Sequence, residues 1–232
     1  MDDTSGGHGD SFLRVEGAND EPPRQRNVLV LTDFSEKVHA ALTFAAAYAQ
    51  ASRGKITLLH VAKPEEADRS IDLSQLVAEY NEQAPCDWML LQGDFLAEVS
   101  NVVQNLQPAL VIIGSQHLNT PELYKKSLAR TLFKHLRGAY LLVQEEVEEV
   151  PFQRILLPVD FTDKPECTHD WLNLFAPFFA CEVHLIMPQV NENDLQEAIE
   201  LNREKIVQIL EKRHIPYQEL SLIHISEPTR QA

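Results

Sequence analysis

The sequence predicts an α/β fold in which a five-stranded parallel sheet is covered by helices on both faces. Short apolar runs alternate with amphipathic segments from about residue 27 to residue 144, which is typical of successive βαβ units. The apolar runs are continuous, as in strands that are buried on both faces. The pattern NVLVLTDFSEK at 27–37 returns as RILLPVDFTDK at 154–164, which predicts that the unit is duplicated.

The elements of the first unit follow this alternation in order. Predicted strands cover 28–31, 55–61, 87–92, 109–113 and 139–143, and predicted helices cover 36–53, 67–82, 95–106 and 127–136. The first helix is rich in alanine at helical spacing, so we expect it to pack closely on the sheet. Ser35 lies just before this helix and is predicted to cap its amino terminus. The second helix has apolar residues at Ile71, Leu73, Leu76, Val77 and Tyr80.

The second unit, at 151–222, repeats the first half of the first unit at a constant offset. Asp160 stands 127 positions after Asp33, and the match continues without a gap until residues 183–186 correspond to 56–59. A gapless match over a strand, a helix and a strand indicates duplication. Asp33 and Asp160 are therefore either ligand-binding acids at the carboxyl end of a strand or loop acids that hold a strand-to-helix turn. Phe34 and Phe161 are predicted to cover the core.

The second unit is predicted to be truncated. A helix at 192–213 and a strand at 217–223 follow its second strand, and nothing corresponds to the later strands of the first unit. Its first strand is then an unpaired edge, which favours self-association. We expect residues 1–26, which are polar and rich in glycine, to form a disordered arm. Residues 223–232 have no equivalent in the first unit and are interpreted as a tail of non-native sequence.

The composition indicates which classes of partner are disfavoured and in which cellular compartment the protein is expected. The formal net charge of -15 at pH 7 argues against binding a nucleic-acid backbone. Cys86, Cys167 and Cys181 lie far apart without a CxxC pattern, as expected for reduced and buried thiols. No apolar run reaches the roughly 18 residues of a membrane span, and the acidic amino terminus is unlike a signal or transit peptide. We therefore expect a cytoplasmic protein with no membrane partner.

The order of these segments resembles the universal stress protein family. The segments that carry the resemblance read, in order, VLVLTDFSEKVHAAL, KITLLHV, QGDFLAEVSNVVQNLQPALVIIGSQ and SLARTLFKHLRGAYLLV. They define a first domain at 27–147, and the second unit matches over its first half. The resemblance implies a Rossmann-like, doubly wound sheet that is duplicated here with a truncated second copy. It also implies dimers of this type, formed within one chain or between chains.

Many members of the family bind ATP, and the resemblance carries a site onto this chain. Asp33 matches an acid that contacts the ribose or phosphates, Val61 matches the strand end that meets adenine, and Gly114 matches the first glycine of a phosphate-binding stretch. The candidate cofactor-binding residues are Asp33, Phe34, Ser35, Val61, Gly114, Ser115 and Ser127.

The phosphate-binding stretch departs from the family pattern. His117 stands where a second glycine is expected, and Lys126-Ser127 replaces Gly-Ser in a segment that is one residue shorter. Glycines let backbone N–H groups approach an anion and adopt positive φ without strain. Lys125 and Lys126 supply charge as flexible groups rather than a preformed cradle. We therefore predict that the chain binds no cofactor, with ATP as the alternative. No nucleotide site is predicted in the second copy.

Two functions stay open at this point. The first is a non-catalytic stress-response protein that acts through interaction or regulation, with its two units packed as an internal pseudo-dimer. The second is a stress protein that binds ATP or AMP, with at most slow ATP hydrolysis. An unrelated Rossmann-like enzyme is disfavoured because no GxGxxG follows a strand. No catalytic triad order and no metal-ligand spacing of histidines occurs, so neither a catalytic nor a metal site is predicted.

Overall fold

The computed structural model describes residues 26–65, 68–114, 138–143, 153–159, 172, 174–175, 181–188, 190 and 193–221. Its larger sheet has five parallel strands in the order β3-β2-β1-β4-β5. The strands are β1 (Val28–Thr32), β2 (Ile56–Ala62), β3 (Cys86–Gln92), β4 (Leu110–Gly114) and β5 (Tyr140–Val143). The helices between them are α1 (Lys37–Ser52), α2 (Ser70–Tyr80) and α3 (Phe95–Leu106). This architecture confirms the predicted doubly wound α/β fold.

The residues of β1 point alternately into two separate cores. Val28 and Val30 pack with α1 and α2 on one face of the sheet, whereas Leu29 and Leu31 pack with α3 on the other face. All five residues of β1 are buried. Each fully buried aliphatic side chain contributes roughly 1.5–3 kcal/mol of transfer free energy. The apolar run is continuous because both faces of the strand are covered.

Helix α1 is buried on more than one face. Its predicted stripe of valine, leucine and alanines packs in the core of the first sheet. A second stripe at Ala40, Phe44 and Tyr48 is also buried, and the rings of Phe44 and Tyr48 lie 5.9 and 5.8 Å from the Phe175 ring. A helix that is apolar nearly all round is expected to be buried between two layers. The alanines therefore serve the predicted close packing, and the aromatic residues join α1 to the following unit.

The second unit is built on a smaller parallel sheet with the order β6-β7-β8. Its elements are β6 (Arg154–Pro158), β7 (Glu182–Met187), α4 (Asn193–Lys212) and β8 (Tyr217–Ser221). Val183 and Leu185 of β7 pack with Ile199 and Ile206 of α4. The aligned pair Ile155 and Val183 stands 127 positions after the aligned pair Val28 and Ile56. The pairing register thus agrees with the offset in the sequence, although the duplication itself stays a prediction.

Two of the three cysteines lie in the described residues. Cys86 and Cys181 are free and buried, as the sequence predicts, and Cys167 lies outside the described residues. Burial, followed by the nearby Asp87 carboxylate, raises the pKa of the Cys86 thiol to about 11. This thiol is therefore protonated and unreactive at neutral pH. Within the described part of the chain, no helix combines the length and the hydrophobicity of a membrane span.

The amino terminus of α3 offers a simple test of local stability. The Oδ1 atom of Asp94 accepts a hydrogen bond from the Ala97 N–H at 3.0 Å. We predict that Asp94→Ala lowers the free energy of unfolding by about 1 kcal/mol, because a helix N–H loses its cap. Urea denaturation measures the change, and Asp94→Asn, which keeps an accepting oxygen, should retain most of the stability. An unchanged midpoint in Asp94→Ala would show that water replaces this cap at no cost.

Candidate functional site

The candidate site lies at the carboxyl edge of the larger sheet. Asp33 follows the last residue of β1, Val61 is the penultimate residue of β2, and Gly114 is the last residue of β4. Strand β1 lies between β2 and β4, and Thr32 is aligned with Gly114. Helix α1 leaves β1 on one face and α3 enters β4 from the other, so this edge is the switch point where ligands bind in open α/β sheets.

The structure therefore brings together the predicted residues that it describes. Val61 is partly buried against the core on the α3 side, and Gly114 is buried at the end of β4. The candidate residues Ser115 and Ser127, together with His117, Lys125 and Lys126, lie outside the described residues. The predicted helix at 127–136 also lies outside them. The site can thus be built only from the ends of β1, β2 and β4 and from the loop after β1.

The loop after β1 is held by short side-chain hydrogen bonds to its own backbone. Oδ1 of Asp33 accepts a hydrogen bond from the Ser35 N–H at 3.0 Å, and Oγ1 of Thr32 accepts one from the Phe34 N–H at 2.9 Å. Phe34 has a φ of 58°, a left-handed conformation that costs a non-glycine residue roughly 1–2 kcal/mol. The two hydrogen bonds stabilise this turn, which supports the interpretation of Asp33 as a structural loop acid.

The prediction that Ser35 caps α1 is wrong. The cap position is Glu36, whose side chain makes no capping hydrogen bond, and the Ser35 carbonyl accepts the Val38 N–H at 3.0 Å. The Ser35 hydroxyl oxygen is buried and has no hydrogen-bond partner among the described residues. The reason is the tight turn at Phe34, because it brings the backbone carbonyl of Ser35, rather than its hydroxyl, to the first turn of the helix.

The Phe34 side chain is packed between groups from two other elements. The ring lies 4.7 Å from the His60 ring in an edge arrangement, and the Arg69 guanidinium lies 4.1 Å from the ring centroid. His60 is buried in β2, and its Nδ1 donates a hydrogen bond to the Thr32 carbonyl at 2.9 Å. Phe34 also packs against the main core. These contacts agree with a covering role, because a cation already occupies one face of the ring.

Sequence reasoning missed His60 and Arg69. The available signal for His60 was a histidine near the end of the largely apolar segment KITLLHV at 55–61. A buried polar side chain normally needs a partner, and here the partner is the end of β1. No local signal identified Arg69, because its position over Phe34 depends on how α2 packs beside α1.

Gly114 is required by packing. A Cβ atom at this position would lie 2.5 Å from the Lys37 carbonyl oxygen and 2.8 Å from the Cβ of Ala41. The absent side chain lets the first turns of α1 contact the end of β4 directly. The glycine that the sequence assigned to phosphate binding therefore has a separate structural function in the described residues.

A groove of about 440 Å³ opens beside the loop, between α1 and α2. Its lining includes the charged residues Glu36, Arg69, Asp72 and Glu79 together with His39. The guanidinium Nε of Arg69 lies 2.9 Å from the Asp72 carboxylate, so this arginine is ion-paired. The remaining carboxylates make the groove unfavourable for an anion. Among the described residues, no group of three or more potential ligands could hold a metal ion.

These features define a doubly wound α/β protein whose candidate site lies at the switch point of its larger sheet. Residues 25–86 match the Universal stress protein family. The match covers the stretch from β1 to the start of β3, including Asp33, Phe34, Ser35 and Val61, and it confirms the resemblance that the sequence predicted. A search of curated proteins found no match to this chain.

Several solved structures are similar to this chain. A universal stress protein from Archaeoglobus fulgidus DSM 4304 is 16% identical to this chain. The alignment covers 86% of this chain and 77% of that protein, with a TM-score of 0.63. An Arabidopsis thaliana family member with AMP bound is 20% identical over 54% of this chain and 95% of its own, with a TM-score of 0.40. A universal stress protein from Archaeoglobus fulgidus in complex with dAMP is 16% identical, and the alignment covers 53% of this chain and 100% of that protein, with a TM-score of 0.42. At these identities, the first structure shows a shared fold.

Proposed function

We propose that this chain is a stress-response protein of the universal stress type that acts through regulatory interaction rather than catalysis. The observation that carries the proposal is that the residues predicted to bind a ligand make contacts that stabilise the fold. Asp33 stabilises the turn after β1, and Phe34 is packed between His60 and Arg69. Gly114 has no side chain, which lets α1 pack directly against the end of β4. Each of these residues has a structural reason to be present without a bound ligand.

The electrostatics beside the loop support the same proposal. Glu36, Asp72 and Glu79 line the groove next to Phe34, and Arg69 is paired with Asp72. A triphosphate that approached from this side would meet more negative than positive charge among the described residues. Repulsion between like charges at close range lowers the affinity for a triphosphate. Salt screens this repulsion where the charges are exposed and much less where they are buried.

Adenine-nucleotide binding is the second candidate function, and the topology favours it. The ends of β1, β2 and β4 are neighbours, so Asp33, Val61 and Gly114 lie at the switch point where doubly wound folds hold their ligands. A nucleotide across this edge would lie over Val61 and pass Asp33 towards Gly114. Cofactor binding by this chain therefore depends on whether the edge can accept phosphates.

Calorimetric titration with ATP–Mg and with AMP separates the two candidates. We predict no measurable heat at millimolar nucleotide for the wild-type chain. Under the second candidate, binding would be micromolar and Asp33→Ala would weaken it by about tenfold or more, which corresponds to at least about 1.4 kcal/mol.

Asp94→Ala is the matched control for this titration. Asp33 and Asp94 both follow a strand, and each accepts a backbone hydrogen bond at 3.0 Å. Removing either carboxylate removes a hydrogen bond of this kind, and of these two residues only Asp33 lies at the switch point. Micromolar binding that is lost in Asp33→Ala and kept in Asp94→Ala would overturn the first proposal. Steady phosphate release from ATP that Asp33→Ala abolishes would also contradict a non-catalytic role.

A further inference from the structure

The outer surface of α2 carries apolar side chains that the fold leaves exposed. Ile71 of α2 is 71% exposed, and Trp88 of β3 is 38% exposed. Both line a groove of about 490 Å³ between α2 and β3, which we call the apolar groove. Its other lining residues are uncharged, namely Ser70, Ser74, Gln75 and Ala78. Large apolar side chains that are exposed together, rather than singly, typically mark a surface that binds another molecule.

The apolar groove has a shape that suits a second helix. Ser70, Ser74 and Ala78 recur every four residues along α2, so they form one row of small side chains about 12 Å long. Ile71 lies beside this row on the helix surface, and Trp88 lines the same groove from β3. Helices pack when the side chains of one lie in such a row on the other.

A second groove on the other side of α2 is acidic. This is the groove of about 440 Å³ between α1 and α2, whose lining includes Glu36, Asp72 and Glu79, and we call it the acidic groove. Gln75 lines both grooves. Because Ile71, Gln75 and Glu79 follow one another at intervals of four residues, they form the ridge that separates the two grooves. A single ligand that lies across this ridge contacts both grooves.

The charges that line the acidic groove do not cancel. The Asp72 carboxylate is paired with Arg69, whose Nε lies 2.9 Å away. Glu79 lies 3.9 Å from Nδ1 of His39, and this imidazole is charged only when it is protonated. Glu36 adds a further negative charge to the lining. With a neutral imidazole the lining is therefore negative, and it attracts a cationic side chain.

Charge complementarity selects a basic partner. The chain has a formal net charge of -15, so a second copy would bring further negative charge to the acidic groove, as would a nucleic acid or an anionic membrane. A basic partner is attracted there, and its apolar side chains can cover Ile71 and Trp88. One face of an amphipathic helix meets both requirements when it carries apolar residues beside lysines or arginines.

We propose that the outer surface of α2 is the docking site for a basic amphipathic helix of another protein, and this rests on the proposed regulatory function. The apolar side chains of the partner helix lie in the apolar groove, against Ile71 and Trp88. Its lysine or arginine side chains pass over Gln75 into the acidic groove, where their aliphatic stems pack on Leu76. The apolar contacts stabilise the complex, and the charges favour basic over acidic partners.

The test is the binding of a synthetic peptide of about 18 residues in which leucines occupy one helix face and lysines the other. Fluorescence anisotropy of the labelled peptide measures its dissociation constant on the full chain, which we expect on the order of tens of micromolar. The tryptophan emission of the chain should shift to shorter wavelength as leucines cover Trp88, and Trp88→Phe should abolish this shift. A peptide of the same composition in scrambled order, without an apolar face, is expected to bind about tenfold more weakly or worse.

Two variants with matched controls locate the contact. Ile71→Ser removes an apolar contact and Glu79→Lys reverses a charge of the acidic groove, so each is expected to raise the dissociation constant about tenfold. Leu201→Ser is the control for the first, since Leu201 is 53% exposed on α4. Glu204→Lys is the control for the second, since it makes the same change in net charge at an exposed position of α4. Both controls are expected to bind within about twofold of the wild type, and circular dichroism checks that all four variants are folded.

Four results would overturn the proposal. The first is the absence of binding up to millimolar peptide. The second is an equal loss of affinity in Glu79→Lys and Glu204→Lys, because binding would then respond to net charge alone. The third is equal affinity for a peptide with glutamates in place of the lysines. The fourth is a self-association of the wild-type chain that Ile71→Ser abolishes, because the surface would then be covered by a second copy.

The titration with ATP–Mg and AMP tests the proposed function independently. If the chain binds and hydrolyses ATP and the peptide also binds as expected, the regulatory function is contradicted and the docking site is supported. If the chain binds neither nucleotide nor peptide, the docking site is contradicted and the proposed function is retained.

Discussion

Gly114→Ala is expected to lower the free energy of unfolding of the first unit by about 1–2 kcal/mol. The added methyl group would lie 2.5 Å from the Lys37 carbonyl oxygen and 2.8 Å from the Cβ of Ala41. Overpacking of a dense core costs typically 1–3 kcal/mol. The loss of chain entropy in the unfolded state returns only about 0.4–1 kcal/mol of this. Because one of the overlapping atoms belongs to the backbone, a change of side-chain rotamer cannot relieve the contact.

Chemical denaturation followed by tryptophan fluorescence measures this effect, since Trp88 lies in β3 of the same sheet. The double variant Gly114→Ala/Ala41→Gly removes one of the two overlaps and leaves the Lys37 carbonyl in place. We expect a coupling of about 1 kcal/mol between the two sites, as is typical of residues in contact. Strictly additive effects would show that Ala41 does not limit the space beside Gly114.

Phe175→Ala is expected to destabilise both units, with a loss of about 3–4 kcal/mol in the free energy of unfolding. Phe175 is 5% exposed, and its ring contacts Phe44 and Tyr48 of α1. Truncation of a buried phenylalanine removes its transfer free energy and leaves a cavity, for a typical cost of 3–5 kcal/mol. Since the contacts join α1 to the second unit, the loss should reach residues of both.

Leu185→Ala is the matched control for Phe175→Ala. Leu185 is fully buried and packs within the core of β7 and α4, so its truncation should loosen the second unit alone. Hydrogen exchange distinguishes the two variants, because only Phe175→Ala should speed the exchange of amides in α1. If α1 amides keep their wild-type rates in Phe175→Ala, the two units do not stabilise each other through this contact.

The regular elements were predictable because their signals are local. The limits of α3 at Phe95 and Leu106 agree with the sequence prediction, since Gly93-Asp94 ends a strand and caps the helix, and the apolar stripe that follows is strong. Continuous apolar runs predicted β1 and β4, which are buried throughout, because side chains buried on both faces of a sheet are apolar. The family resemblance rested on the same segments.

The candidate site was predictable only in part. The positions of Asp33, Val61 and Gly114 at neighbouring strand ends followed from the parallel order of the sheet. The conformation of the loop did not, because Phe34 is held by His60 and Arg69 from distant parts of the chain. The exposure of Ile71 was not predictable either. Ile71 belongs to the apolar residues that the sequence analysis assigned to the second helix, yet it is 71% exposed.

The sequence by itself determined the alternation of strands and helices, the family resemblance and the register offset between the two units, because each depends on residue types at short and regular spacing. The tertiary structure alone decided the role of individual residues. Gly114 is explained by the approach of α1, and Phe44 and Tyr48 are explained by their contacts with Phe175. These roles arise from contacts between residues far apart in the chain, and such contacts exist only once the layers have packed.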